Sequence, residues 1–410
     1  MMRKSIKIAH IADIHYRDKD YDEVKKCLDS IIKRIHSINP DLVVISGDLF
    51  DSKNIELDSR SVRTAVKQLK QLSIAAPVSI VIGTTSHDGK AAKIMRHINS
   101  RNAIWVSDKA EQVYLYGKKI STTIPSSITP DIAISQLPSI TKQNMDITGG
   151  LKQSNNKVDE FIDKVTSKFR TSAEKSKANI HILNGHFQIK GSKISPTQII
   201  TGHDIEISKE QLMQSNADLI MLGHIHFHQK IGSNIFYSGS IYRKDFGETD
   251  IKGFYIHEIS ENKSIDSVFF KTPTRKMLKY DFNFTGKRNI DPEEYNGIIL
   301  DKVPKKLKNA HVKVSITVYQ DEADLINTEE IKEIIIDNRK AERIKMRVLR
   351  KPRVNIRAEK LLSLVSFEEK IRELAKIRDE DLDRDIIAKV TMLESFSEDE
   401  LIERVIKKVS

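Results

Sequence analysis

Short apolar runs alternate with longer amphipathic stretches over the first 270 residues of the chain. The runs are rich in β-branched and aliphatic residues, which favour strands. They lie at Ile6–Ile11, Leu42–Ile45, Val78–Ile82, Ile180–Leu183, Leu219–Leu222, Asn234–Tyr237 and Phe254–Ile259. The amphipathic stretches Tyr21–Ile38, Ser61–Leu72 and Val158–Lys177 carry apolar residues at helical spacing and predict helices. Strands that alternate with helices predict an α/β fold with a largely buried sheet.

The alternation of strands and helices is interrupted at residues 146–157 and ends near residue 271. Residues 146–157 are polar and contain glycine, which predicts a flexible loop. Near residue 271 the segment Lys-Thr-Pro-Thr-Arg ends the alternation. A small α/β unit of its own is predicted beyond it, with strands at Met277–Phe284, Val312–Tyr319 and Arg343–Leu349 and a helix at Thr328–Asn338.

After Pro352 the chain is highly charged and helical in pattern. Ser366 with Glu369, and Ser397 with Glu400, have the Ser-x-x-Glu form of a capping box. Apolar residues recur at helical spacing behind both boxes, and such a stripe must be buried on the rest of its own domain or on a partner. The predicted organisation is therefore a main domain at 1–270, a small domain at 271–350 and a helical region at 351–410.

Composition narrows the class of protein. The single cysteine, Cys27, excludes an internal disulfide and a zinc–cysteine site, which favours a reducing compartment. No segment has the length and apolarity of a signal peptide or membrane span, so we expect no membrane partner and a cytoplasmic location. This location also includes a nucleoid-associated protein or a virus-encoded one that acts in the host cytoplasm. The net charge of +11 suits a polyanionic partner such as DNA, although it also suits a merely basic soluble protein.

Residues that could bind a ligand or take part in catalysis follow five of the predicted strands. Each strand runs into aspartate or histidine, and four of these segments contain a neighbouring glycine that allows a sharp turn. In open α/β sheets ligands bind at the carboxyl ends of the strands, so residues distant in sequence converge there. The five segments are Asp13-Ile-His15, Gly47-Asp48-Leu-Phe-Asp51, Gly83-Thr-Thr-Ser-His87-Asp88, Gly185-His186 and Gly223-His224-Ile-His226.

Carboxylates and imidazoles together are the usual ligands of divalent transition metals. Two metals about 3.5–4 Å apart need a carboxylate that bridges them and further ligands for each. Such a pair polarises a phosphate oxygen and activates a water. The side chains alone are compatible with manganese, iron or zinc. In contrast, His10 and His181 lie inside predicted strands, where a structural role is expected.

The ordered set of motifs resembles that of the calcineurin-like metallophosphoesterases. A narrower resemblance follows the last motif. The segment Tyr237-Ser-Gly-Ser-Ile-Tyr-Arg-Lys-Asp-Phe-Gly-Glu248, followed by Lys252-Gly-Phe254, is similar to the SbcD-type nucleases that repair DNA double-strand breaks. Their archaeal and eukaryotic relatives are the meiotic recombination eleven nucleases. The resemblance spans most of the chain, closely to residue 254 and loosely beyond it.

The resemblance implies a sandwich of mixed β-sheets flanked by helices, a small α/β capping domain that binds DNA, and a helical tail that docks on an SbcC-type coiled-coil ATPase. It also implies a homodimer formed by helices near the active site, including Ser61–Leu72. Manganese is the implied activator of 3′–5′ exonuclease and endonuclease action. Asp13, His15 and His226 would hold one metal, His186 and His224 the other, and Asp48 would bridge them. His87 would lie beside the scissile phosphate rather than bind metal.

Two positions depart from the family's pattern. Its third motif is Gly-Asn-His-Asp, whose asparagine oxygen binds the second metal. Here the loop is two residues longer, and Ser86 stands in the asparagine's place, with Thr84 or Thr85 as alternative oxygen donors. Asp51 stands where archaeal and eukaryotic members have histidine and bacterial-type members have aspartate; it would either orient His87 or cap the turn. Alternatives to a DNA nuclease are a small-molecule or protein phosphoesterase and a catalytically weak scaffold for the ATPase.

Overall fold

The computed structural model describes residues 5–140, 151–196, 198, 205–286, 290–353, 361, 364–378, 380–397 and 400, of which 151–156 are described by their backbone only. The strands are β1 Ser5–Ile11, β2 Leu42–Ser46, β3 Val78–Val81, β4 Ile104–Ser107, β5 Glu111–Tyr116, β6 Lys119–Ser121, β7 Ile132–Leu137, β8 Ile180–His186, β9 Gln188–Ile189, β10 Glu206–Ile207, β11 Leu219–Gly223, β12 Gln229–Ile231, β13 Ile235–Tyr237, β14 Gly253–Ser260, β15 Ile265–Lys271, β16 Lys276–Asn283, β17 Ala310–Tyr319 and β18 Arg343–Lys351. The α-helices are α1 Tyr21–Ile38, α2 Arg60–Ala75, α3 Lys90–Ile94, α4 Leu151–Ser176, α5 Lys209–Met213, α6 Tyr295–Lys302, α7 Thr328–Glu333, α8 Phe367–Arg378 and α9 Arg384–Ser395.

Two mixed sheets form the main part of the molecule. One has the strand order β15-β14-β1-β2-β3-β4, and the other has the order β12-β13-β11-β8-β7-β5-β6. In the first sheet β1 to β4 pair in parallel, and antiparallel pairs lie at the edge formed by β14 and β15. In the second sheet the four central strands pair in parallel, and antiparallel pairs lie at both edges. This arrangement places the carboxyl ends of β1, β2 and β3 along one edge of the first sheet, and those of β8 and β11 along one edge of the second.

The sheets pack face to face, with helices on both outer faces. Alternate residues of β1 show this, because Ala9 and Ile11 pack with apolar residues of α1 and α2, whereas Ile6 and Ile8 pack with residues of the second sheet. The outer face of the second sheet packs against α4, through residues such as Ile162. Burial on both faces explains why these strands are continuous apolar runs. The predicted α/β sandwich with flanking helices is confirmed.

The predicted strands and helices of the main part are found with small shifts of their ends, except before α4. Residues 151–157, predicted as part of a loop, belong to α4, which begins at Leu151. No glycine or proline follows Gly150 until Gly185, so nothing interrupts a helix that is already favoured from Val158. Residues 146–150 of the predicted loop lie outside the described residues. The apolar runs do not predict the remaining strands of the main part, which are β4, β5, β6, β7, β9, β10, β12 and β15.

The chain divides into two compact units, and the first consists of Met1–Lys279, Lys306–Lys313 and Ile335–Lys345. The second consists of Tyr280–Lys305, Val314–Ile334 and Met346–Ser410. The predicted strands after residue 271 are found as β16, β17 and β18, which form a sheet in the order β16-β17-β18. The helix predicted at Thr328–Asn338 is α7, followed by a π-helical turn at Ile334–Asn338.

The helical tail contains the two predicted capping boxes and exposes large apolar side chains such as Phe367 and Leu393. The first predicted capping box is confirmed, since the Glu369 N–H donates to Ser366 Oγ at 3.1 Å and the Ser366 N–H donates to Glu369 Oε2 at 3.4 Å. At the second box the Ser397 N–H donates to Glu400 Oε2 at 2.9 Å, and the helix predicted after it lies outside the described residues. In the described part of the chain, no helix has both the length and the apolarity needed to cross a bilayer.

Candidate metal centre

Five loops that follow β1, β2, β3, β8 and β11 meet at one edge of the two sheets. The loops after β1 and β2 are joined by backbone hydrogen bonds, from the Asp13 N–H to the Gly47 carbonyl and from the His15 N–H to the Asp48 carbonyl. The two sheets are joined by the buried Ser46 hydroxyl, which donates to Asn184 Oδ1 at 2.7 Å. The convergence predicted from the strand ends is therefore present.

Two glycines allow this close approach. At Gly47, which has φ +80°, a Cβ atom would lie 2.3 Å from His186 Nδ1. At Gly223 a Cβ atom would lie 1.9 Å from the Ser46 carbonyl oxygen. Both distances are far below van der Waals contact, so no other residue fits without moving the backbone that carries the site.

Three overlapping groups of side chains place one potential ligand atom from each member within 4.8 Å of the others. Asp13, His15 and Asp48 each belong to two of the groups, so the groups form one continuous cluster. The groups are Asp13 with His15 and His226, His15 with Asp48 and His87, and Asp13 with Asp48 and His186.

His224 lies at the margin of this cluster and is buried. Its ring faces the His186 ring edge-on, with the ring centroids 5.3 Å apart. Its backbone N–H donates to Asp13 Oδ1 at 3.0 Å, and its backbone carbonyl accepts a hydrogen bond from Gln198. The structure thus brings all six sequence-predicted carboxylate and imidazole ligands to one place, with His224 outside the three tight groups.

The imidazoles are oriented from behind by oxygen atoms. His186 Nδ1 lies 2.7 Å from the Ser46 carbonyl oxygen, so this nitrogen carries the proton of the neutral ring and Nε2 is the nitrogen that can bind a metal. His226 Nδ1 lies 3.1 Å from Glu248 Oε1. A hydrogen bond of this kind fixes the ring and leaves the other nitrogen available for a metal. In the sequence Glu248 stood out only as part of a family segment, and nothing in its spacing marked it as a partner of His226.

The donor set fits a pair of divalent metals. Asp13 Oδ2 is buried and has no hydrogen-bond partner among the described residues. His15 Nε2 and His226 Nε2 point at each other across 3.0 Å. A buried carboxylate oxygen without a partner is costly, and a cation between these atoms satisfies all of them. Asp13, His15 and Asp48 also adopt positive φ, between 47° and 50°, which is an unusual and strained conformation for such residues.

The charges of the cluster support the same conclusion. Burial lowers the pKa of His186, but the carboxylates of Asp48 and Asp13 outweigh it and raise that pKa to about 9. Burial raises the pKa of Asp48, but His186 and His15 together hold it well below its usual range. Asp48 is therefore an anion in a site that attracts positive charge. Since a histidine ligand must be neutral to bind metal, a divalent cation competes with the proton on His186.

The loop after β3 brings Thr84, and not Ser86, to the cluster. The Thr84 N–H donates to Asp48 Oδ1 at 2.6 Å, and its hydroxyl lies 3.2 Å from His186 Nε2. Ser86 has an exposed side chain, and its carbonyl oxygen accepts from the Lys53 N–H. Thr85 is exposed as well. The two extra residues of the loop thus shift the hydroxyl that faces His186 to Thr84.

The same loop is held by Asp88, whose role the sequence did not reveal. Its carboxylate accepts hydrogen bonds from the Phe50 N–H at 3.0 Å and the Gly83 N–H at 2.8 Å. Burial, followed by the nearby Asp48 carboxylate, raises the pKa of Asp88 to about 6. Asp88 therefore ties the loop after β2 to the loop after β3.

His87 lies on the open side of the cluster, with 31% of its side chain exposed. Its Nε2 atom is 4.0 Å from Asp48 Oδ2, and its Nδ1 atom is 2.7 Å from the Asp51 backbone carbonyl oxygen. Asp51 thus orients His87 through its backbone and not through its carboxylate. The Asp51 carboxylate instead faces His15 Nδ1 at 3.4 Å and Lys244 Nζ at 2.6 Å. Burial raises the pKa of Asp51, but these two neighbours outweigh burial and lower it.

Comparison with known proteins agrees with the class that this geometry defines. The model of the calcineurin-like phosphoesterase family matches residues 6–228, which include every predicted ligand. The chain belongs to this family, and the resemblance of its motifs to the calcineurin-like metallophosphoesterases is confirmed.

Two similar relatives within this class are nucleases. The chain is 24% identical to the D subunit of the nuclease SbcCD from Staphylococcus epidermidis, over 76% of this chain and 79% of that protein. It is 25% identical to the protein of the same name from Staphylococcus saprophyticus, over 68% of this chain and 72% of that protein. The narrower resemblance to SbcD-type nucleases is confirmed by these matches.

Two solved structures are similar to part of the chain. One is GAP50, the anchor in the inner membrane complex of Plasmodium, with 14% identity and a TM-score of 0.43 over 66% of this chain and 86% of that one. The other is a dimetal phosphatase from Danio rerio, with 11% identity and a TM-score of 0.38 over 66% of this chain and all of that one. Similarities as distant as these add nothing on function.

Proposed function

We propose that this protein is the nuclease subunit of a DNA-repair complex and hydrolyses phosphodiester bonds of DNA with two divalent metals. The observation that supports it most is the continuous cluster of carboxylates and imidazoles at the meeting point of five strand ends. The names of the two SbcCD relatives support DNA as the substrate, and the net charge of +11 suits a polyanion.

In this proposal Asp13, His15 and His226 hold one metal, His186 and His224 hold the other, and Asp48 bridges both. The Thr84 hydroxyl is the oxygen donor that takes the place of the family's asparagine, instead of the predicted Ser86. Bound metals supply Lewis acidity, which activates water and neutralises charge on the phosphate. Manganese is the metal that we propose, since the carboxylate and imidazole set accepts it and the family resemblance implies it.

His87 contributes the remaining chemistry. Its exposed ring, with Nδ1 held by the Asp51 carbonyl, presents Nε2 to the open side of the cluster. With both ring nitrogens protonated, His87 would donate a hydrogen bond from Nε2 to a phosphodiester bound there, which would stabilise charge on the phosphate or deliver a proton to the leaving oxygen. Asp51 has an indirect part, since its carbonyl oxygen holds His87 at 2.7 Å and its carboxylate lies beside His15 at 3.4 Å.

The remaining regions have proposed roles in assembly. The segment 271–350 would cap the site and contact DNA, and the segment 351–410 would dock on an SbcC-type coiled-coil ATPase. The second role is supported by apolar side chains that the tail leaves exposed, such as Phe367 at 48% and Leu393 at 59%. A homodimer that uses Ser61–Leu72 of α2 stays part of the proposal.

Manganese-dependent cleavage of end-labelled linear duplex DNA tests the function directly. Wild type is compared with Asp48→Ala and His87→Ala, and metal content is measured on the same samples. Cleavage that needs both residues supports the proposal. Two bound metals without cleavage, with or without the ATPase, would favour a scaffold or a phosphoesterase with another substrate. The scaffold has one observation in its favour, the hydroxyl in place of an amide oxygen at the second metal position.

A further inference from the structure

His226, a proposed metal ligand, is held at both its side chain and its backbone by one buried ion pair. Its Nδ1 atom lies 3.1 Å from Glu248 Oε1. Its carbonyl oxygen accepts a hydrogen bond from Lys252 Nζ at 3.0 Å. The other carboxylate oxygen of Glu248 lies 3.2 Å from the same ammonium. The direction of the ring and the position of the backbone are therefore set by the same two residues.

Lys252 is almost completely enclosed, with 1% of its side chain exposed. Besides Glu248 and the His226 carbonyl, its ammonium lies 3.2 Å from Asp250 Oδ1. Three oxygen partners satisfy the three N–H donors of a lysine. Burial of an ammonium lowers the free energy of unfolding, and removal of either member of a buried ion pair lowers it further. An apolar side chain would fill this space at lower cost, so the charge at Lys252 calls for a role.

The same segment also reaches the second imidazole of that metal position. The Lys244 N–H donates to Glu248 Oε2 at 3.0 Å, and the Lys244 ammonium lies 2.6 Å from Asp51 Oδ1. The same oxygen of Asp51 faces His15 Nδ1 at 3.4 Å. Residues 244–252 thus contact the carboxylate that is hydrogen-bonded to His226 and the carboxylate that lies beside His15. The Nε2 atoms of these two rings face each other at 3.0 Å.

The other proposed metal position is held differently. His186 Nδ1 donates to the backbone carbonyl of Ser46, and the Thr84 hydroxyl lies beside its Nε2 atom. Neither partner belongs to the segment 244–252. A change in that segment should therefore act more strongly on the position formed by His15 and His226 than on the position of His186.

We propose that Glu248 and Lys252 are positioning residues that set the metal affinity of the position formed by Asp13, His15 and His226. They act through His226. Lys244 and Asp51 are the corresponding pair beside His15. The two metal positions then have separately tunable affinities. This inference rests on the proposed metal ligands, and it concerns metal binding and not the identity of the substrate.

Mn²⁺ binding to the metal-free full-length protein tests this inference, with calorimetry for affinities and electron paramagnetic resonance to distinguish single from spin-coupled ions. The variants are Glu248→Gln, which keeps the size of the side chain, and Lys252→Met, with Thr84→Ala as the matched variant of the other position. We expect Glu248→Gln and Lys252→Met to weaken one of the two binding events by about 10- to 100-fold and to leave the other within about threefold. Thr84→Ala should weaken the other event instead.

Thermal unfolding of the metal-free variants shows whether each is folded, and Glu248→Gln keeps the test open if Lys252→Met is not. Equal weakening of both events in folded Glu248→Gln, or no change in either, would overturn the inference. Cleavage assays on the same samples separate it from the proposed function. If a variant selectively loses one metal and the wild-type protein does not cleave DNA, the positioning role is supported and the proposed nuclease function is contradicted.

Discussion

His15 Nε2 and His226 Nε2 face each other across 3.0 Å, although 211 residues separate them in the chain. Glu248 Oε1 lies 3.1 Å from Nδ1 of His226, and Asp51 Oδ1 lies 3.4 Å from Nδ1 of His15. Two ring nitrogens this close either share a proton in a hydrogen bond or bind the same cation. Asp13 belongs to the same group of side chains, and its buried Oδ2 atom, which has no hydrogen-bond partner among the described residues, favours the cation.

Replacement of the shared carboxylate should affect both metal positions together. In Asp48→Ala we expect loss of both metals and a fall in DNA cleavage of at least about a hundredfold, because the variant lacks the group that would hold the two cations together. Metal analysis after gel filtration and cleavage of end-labelled duplex DNA measure the two effects. Retention of two metals by a folded Asp48→Ala variant would contradict the bridging role.

Replacement of His87 should separate chemistry from metal binding. We expect His87→Ala to keep both metals and to lower kcat by about 10²- to 10⁴-fold, as for loss of a group that transfers a proton or stabilises charge. The KM for DNA should change little, because in the proposed complex the ring would contact a single phosphate. The relevant measurement is steady-state cleavage at saturating Mn²⁺. If His87→Ala loses a metal instead, His87 is a ligand, as its proximity to His15 and Asp48 also allows.

The two hydroxyls of the third loop provide a matched pair. Thr84→Ala should weaken binding of the second metal and reduce cleavage by about tenfold at limiting Mn²⁺, because its hydroxyl lies beside His186 and Asp48. Ser86→Ala should stay within about twofold of wild type, since that side chain is exposed. Cleavage rates across a Mn²⁺ titration compare the two. The reverse order of effects would show that the loop rearranges when metal binds.

The main sheets and the ligand loops could be predicted because each depends on a local signal. Apolar runs mark β1, β2, β8 and β11, and the aspartate or histidine that follows each run marks the site. Strand β5 was missed because it alternates polar and apolar residues, so it lacks the continuous run of a doubly buried strand.

The partners of the ligands were harder to predict, because their roles are set by tertiary contacts. Glu248 is a partner of His226 only because the segment after β13 folds back under the last motif. The Thr84 hydroxyl, and not that of Ser86, lies beside His186, because the loop is two residues longer than the family's motif. The sequence offered only the spacing of that motif as a guide. The sequence also could not show which histidine each part of Asp51 contacts. Its backbone carbonyl contacts His87, and its carboxylate lies beside His15.

Acid should destabilise the metal-free protein partly through a histidine outside the metal centre. His181 lies in β8, and its Nε2 atom is 2.7 Å from the Ser135 hydroxyl. Burial lowers its pKa to about 4, against 6.5 when it is exposed. Between these values the unfolded chain binds the proton more tightly, so the stabilisation is fully present above pH 6.5 and is lost as the pH falls toward 4. The shift corresponds to about 3 kcal/mol.

The contribution of His181 can be isolated by comparison of variants. The free energy of unfolding by urea is measured at pH 7.5 and at pH 4.5, with a chelator present, for wild type, His181→Gln and His36→Gln. His36 lies on the exposed face of α1 and serves as the control. Wild type and His36→Gln should lose about 2–3 kcal/mol more between the two pH values than His181→Gln does. An equal loss in all three proteins would mean that His181 is already protonated in the folded chain, or that acid opens the sheet elsewhere first.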